Sequence, residues 1–145
     1  SAGQHRAAEQ SYLLALELEP GDRSAMNNLM VLYDLEGREA ERDAWASKLD
    51  DYRDVNPYYH AWLGDLAAEA GDWREALRHY RHAVGLAPTD SGLLYAAGLI
   101  EMELGRAKAA ARYFEEAMAQ ASLLSEKTLY GNALDDARGA VLAER

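Results

Sequence analysis

Residues 57–90 read PYYHAWLGDLAAEAGDWREALRHYRHAVGLAPTD, and residues 91–124 read SGLLYAAGLIEMELGRAKAAARYFEEAMAQASLL. Aligned without a gap, Leu63–Gly64 lies over Ala97–Gly98, and Gly71 over Gly105. Downstream, Ala76, Tyr80 and Ala83 lie over Ala110, Phe114 and Ala117. Spacings of four and three place each trio on one helical face, so each block predicts two helices separated by a glycine turn. Pro88 closes the first block, where a proline cannot continue the helix.

The register extends outward. Gly3, Gly37, Gly71, Gly105 and Gly139 follow one another at intervals of 34 residues. Ala8, Tyr12 and Ala15 repeat the small–aromatic–small trio after Gly3, and Pro20 stands at the offset of Pro88. A fixed period of this length is the mark of stacked supersecondary units, each burying its apolar side on its neighbours.

These residues resemble the tetratricopeptide repeat family over nearly the whole chain. The resemblance implies an all-α fold: a right-handed superhelical stack of antiparallel helix pairs, an α-solenoid. It predicts one domain over 1–145. Within it, 3–20 is the second helix of a truncated repeat, 23–56, 57–90 and 91–124 are repeats, and 125–145 is a capping helix with Leu129, Leu134, Ala137 and Val141 on one side. Asp22, Asn56 and Asp90 are the expected N-caps, and Pro57 suits a first helical turn. Leu63, Tyr80, Leu94 and Phe114 are expected in the core by their periodicity.

The pattern also departs from the family. His60 and Leu94 stand at its early tryptophan, and Ala67 and Glu101 at its later tyrosine. In 23–56 the small residue before the turn is Met30 and the alanine after it is Arg42. That hairpin is expected to splay or rotate, with Trp45 and Leu49 filling the gap and a longer second helix running up to Pro57.

Composition narrows the function. The chain has 145 residues, 49% of them apolar, enough for a continuous core. A net charge of -10 repels phosphate backbones and anionic lipid, so no nucleic acid or membrane partner is expected. Neither a leader nor an apolar run long enough to span a bilayer is evident, so the chain reads as a soluble fragment, and its compartment is undetermined. The absence of cysteine removes thiol catalysis and thiolate metal sites. Usage rich in Ala, Arg, Gly and Leu resembles that of bacterial proteins.

No enzyme is expected. The histidines His5, His60, His79 and His82 have no serine or acid partners at catalytic spacing. His79 and His82 lie one turn apart, but zinc takes three or four ligands, so no metal or other cofactor is expected. Asp50 with Asp51 and Glu115 with Glu116 are adjacent and diverge on a helix, which suits them poorly for acid–base work.

The resemblance implies instead a protein- or peptide-binding scaffold whose groove is lined by the first helix of each pair. Family offsets place there Asn27, Val31 and Asp34, then Tyr58, Trp62, Asp65 and Glu69, then Tyr95, Leu99 and Met102. Tyr58, Trp62 and Tyr95 are the expected anchors, and Asp34, Asp65 and Glu69 the charge readers, for a partner with basic and apolar residues. Each has a plainer reading: the acids as a solvated face, and Trp62 as packing between hairpins. Where one branch of the family clamps a terminal carboxylate, this chain has Asn27, Val31, Trp62, Gly92 and Ala96, so that mode is disfavoured. A structural or self-associating arm of a larger, enzymatic protein is the alternative, with a homodimer formed along the apolar edge of 3–18.

Overall fold

The computed structural model describes residues 1–144; Arg145, which closes the expected capping segment, lies outside the described residues. They form α1 (Ala2–Leu18), α2 (Arg23–Leu35), α3 (Glu39–Asp54), α4 (Pro57–Glu69), α5 (Trp73–Leu86), α6 (Ser91–Glu103), α7 (Ala107–Gln120) and α8 (Leu124–Ala143). Helices adjacent in sequence pack as antiparallel hairpins within two compact units, Ser1–Val55 and Asn56–Arg145.

Local chemistry sets the boundaries. Asp22, Asn56 and Asp90 accept the backbone N–H of Ala25, Tyr58 and Leu93 at 3.0, 3.0 and 3.1 Å, satisfying donors that a helix start leaves open. Asp72 does the same for Glu75 at 3.1 Å. At the inner turns Gly37, Gly71 and Gly105 adopt φ of 71°, 78° and 73°. The left-handed conformation lets the next residue donate back across the turn, Arg38 to Tyr33, Asp72 to Ala67 and Arg106 to Glu101, at 2.8 to 2.9 Å. Three identical closures of the Schellman type therefore build three identical hairpin turns. Gly3 and Gly139 keep the 34-residue interval but lie inside α1 and α8, so the ladder marks turns at its three central members.

In the second unit, helix pairs touch through glycine. A Cβ on Gly64 would stand 2.5 Å from Cδ2 of Tyr80, and one on Gly98 would stand 2.7 Å from Cδ1 of Phe114. Each aromatic ring lies against bare backbone of the facing helix. In the first unit the equivalent register pair is Met30 and Ala46, with the large and small partners exchanged. Its core joins Leu16, Ala25, Met26, Leu29, Tyr33 and Leu49, and Trp45 packs against it with Met30. The α3 helix has 16 residues against 14 for α5 and for α7, the greater length expected there.

One expected core position is corrected. Leu129 is 49% exposed, and the buried side of α8 runs through Tyr130, Leu134 and Ala137. Leu134 and Ala137 are buried as expected, and Tyr130, four residues before Leu134, takes the place expected for Leu129 by packing against Leu94 and Ala117. No described helix is long and apolar enough to cross a membrane.

Candidate functional site

The α4 helix carries an apolar stripe toward solvent. Tyr58, Trp62 and Leu66 follow at intervals of four and are 62%, 55% and 44% exposed. Spacing by one turn puts all three on one side of the helix. At the register positions of Tyr58 and Trp62, α6 carries the small residues Gly92 and Ala96. The Tyr58 hydroxyl donates to Oδ2 of Asp90 at 2.7 Å, while Oδ1 of the same carboxylate caps α6. That bond ties the start of α4 to the start of α6, and it raises the phenol's pKa because the neighbouring carboxylate disfavours a phenolate. Tyr58 is thus tied through its hydroxyl while its ring stays exposed.

The stripe is flanked by acid. Asp65 and Glu69 project from α4 and Glu103 from α6, all exposed, and neither helix contains Lys or Arg. Asp65 also accepts the Tyr80 hydroxyl at 2.5 Å, so one of its oxygens serves the α4–α5 hairpin. Burial, followed by this hydrogen bond, pushes the Tyr80 phenol up.

The other expected anchor sits differently. Tyr95 is half-buried, with its ring 4.9 Å from Tyr130 and 5.8 Å from Phe114, centroid to centroid. It packs α6 against α7 and α8, and Met102 packs against the same cluster. Leu99 is exposed. In the first unit Asn27 and Val31 are exposed, and Asp34 forms an ion pair with Arg42 at 2.7 Å. Leu66 was missed by family offsets; its interval of four from Trp62 was the available signal.

Three of the four histidines, His60, His79 and His82, lie together. His60 is buried and its ring stacks on His82 at 3.8 Å with an interplanar angle of 12°. His79 lies 3.3 Å from Glu75, and burial holds its pKa below the ordinary value. Among the described residues no group of three or more potential ligands is arranged to hold a metal ion.

Against known families, residues 57–90 and residues 91–122 each match the tetratricopeptide repeat. The chain carries tetratricopeptide repeats over residues 57–122. No curated protein matches it in sequence. Among solved structures, a crystal structure of MamA superposes with a TM-score of 0.53 at 16% identity, covering 96% of this chain and 85% of that one. A second MamA structure gives 0.47 at 15% identity, covering 97% and 80%. At such identity the first likeness speaks for the fold, an all-helical array of paired hairpins. Tetratricopeptide repeats are in general protein-interaction modules without catalytic function of their own, and the exposed stripe of α4 lies on the first helix of a matched repeat.

Proposed function

We propose that the second unit binds a protein segment across α4 and α6, and that the segment is amphipathic and basic. The observation that carries this reading is the Tyr58–Trp62–Leu66 stripe, apolar area left in water on a helix whose opposite side is committed to the core. Large aromatic side chains dominate binding energies because they bury much area with few rotatable bonds. Asp65, Glu69 and Glu103 would receive Lys or Arg from the guest at the rim, contributing more to orientation and association rate than to affinity.

The probe is a panel of amphipathic helical peptides bearing Lys and Arg, paired with versions in which those residues are Glu. Fluorescence anisotropy is expected to give saturable binding of the basic set. Trp62→Ala should weaken it by about 2 kcal/mol, roughly thirtyfold. Equal affinity for the acidic set, or no loss in Trp62→Ala, refutes the reading. Tyr58→Ala is the suitable companion variant, since Tyr95→Ala would open the core. Self-association is a second reading, supported by Leu14 and Leu18, exposed one turn apart on α1. A monomer by sedimentation at high concentration would remove it.

A further inference from the structure

The basic residues of the second unit are segregated from its acidic, aromatic helices. While α4 and α6 contain none, Arg74, Arg78 and Arg81 lie on α5, Arg106 caps α7, and Lys108 and Arg112 follow on α7. Four of these arginines converge. Arg74, Arg78, Arg81 and Arg106, with Leu77 as the apolar element, line a depression of about 390 Å³ between α5 and the turn that precedes α7.

Convergence of like charge is unfavourable unless something opposes it, and the protein opposes it incompletely. Arg78 is engaged by Glu75 of its own helix. Arg81 donates to Oε1 of Glu101 at 3.3 Å, and Arg106 stands 3.9 Å from Oε2 of the same carboxylate. Arg74 has no acid within ion-pair distance among the described residues. Four guanidinium groups therefore face two carboxylates, in a chain whose net charge is -10.

Glu101 explains how the cluster is held. It is fully buried, on α6, and reaches one arginine from α5 and one from the α7 cap. It thereby sets Arg81 and Arg106 beside each other while leaving their remaining N–H groups directed elsewhere. Guanidinium forks match the oxygens of carboxylate and phosphate, and a site that gathers several of them favours the more highly charged anion. With acid but neither Lys nor Arg on α4 and α6, an anion is drawn to this depression and repelled from those helices.

We propose that this depression is a binding site for a phosphate-type oxyanion carrying two or more charges. It is distinct in position and charge from the α4–α6 face, so a phosphorylated guest and a basic one would occupy opposite helices of the same repeat.

Isothermal titration of the intact chain at about 0.15 M salt tests it, with two probes: inorganic pyrophosphate, and a short neutral peptide carrying one phosphoserine. Saturable binding of at least one probe is expected, with the unphosphorylated peptide inert. Saturation by the peptide alone supports a protein-borne phosphate, and saturation by pyrophosphate alone supports a free one. Arg74→Gln with Arg106→Gln, both at exposed positions, should weaken binding by about tenfold or more for each guanidinium lost, and circular dichroism should show the same helix content. No saturable binding of either probe, or undiminished affinity in the folded double variant, overturns the proposal.

Discussion

Replacing Gly98 by alanine places one methyl group where the structure has no room. The added Cβ would lie 2.7 and 2.9 Å from ring atoms of Phe114, against about 3.5–4.0 Å for comfortable carbon contact. The ring must retreat by about 1 Å, but it is 1% exposed and packed among Ala110, Ala111, Leu134 and Ala137. Overpacking of this kind costs about 1–3 kcal/mol, partly offset by roughly 1 kcal/mol from replacing glycine inside a helix. Gly139 supplies the control. It also sits within a helix, α8, and a Cβ there meets nothing within 4 Å, so Gly139→Ala should stabilise by about 0.5–1 kcal/mol. Urea unfolding followed by circular dichroism should separate the two variants by at least about 1 kcal/mol, a midpoint difference of roughly 0.5 M at m of about 2 kcal/mol/M. In a Phe114→Leu background, where the ring is gone, Gly98→Ala should become neutral or stabilising. If Gly98→Ala raises the midpoint as much as Gly139→Ala, the close-contact argument is wrong.

Other consequences can be measured directly. Gly71 has open space around it but a φ of 78°, so Gly71→Ala should destabilise by about 1–2 kcal/mol through backbone strain alone, visible as a lower urea midpoint with an unchanged m. His79 has its folded pKa lowered from 6.5, chiefly by burial, so the fold resists the proton that the unfolded chain accepts. Stability should therefore fall as pH drops below about 6.5, and His79→Gln should flatten that part of the profile; parallel profiles for both proteins would refute it. Tyr33 is pushed up to about 12 by burial and then by its hydrogen bond to Glu9. The fold keeps the phenol protonated, so this stability is intact below pH 10 and disappears as pH rises from there through about 12. Chemical unfolding across that range should fall more steeply for the native chain than for Tyr33→Phe.

Much of the architecture was legible because it depends on groups near in sequence. A cap is decided by a carboxylate and an N–H three residues away, as at Asp22 and Asp90. A hairpin turn is decided by one residue able to take positive φ, as at Gly71. Periodicity likewise located Tyr80, Leu94 and Phe114 in the core. The first position of the α8 face was not: Tyr130, Leu134 and Ala137 are spaced by four and three and share the buried side, whereas Leu129, five before Leu134, falls off it.

The chain by itself determined that paired helices recur, where their caps and turns fall, and that the segments forming α4 and α6 hold acid but no Lys or Arg. These follow from spacing, capping and the placement of charges along the sequence. Tertiary structure decided which similar residues have different fates. Tyr58 is held by Asp90 yet open to solvent, whereas Tyr95 is enclosed by Phe114 and Tyr130. Gly98 is pressed by a ring, whereas Gly139 is open. Arg106 joins three arginines of α5 around one depression, and shares Glu101 with Arg81, only when the helices are packed. In each case the outcome depends on what a neighbouring helix places within a few ångströms, information that no interval along one helix contains.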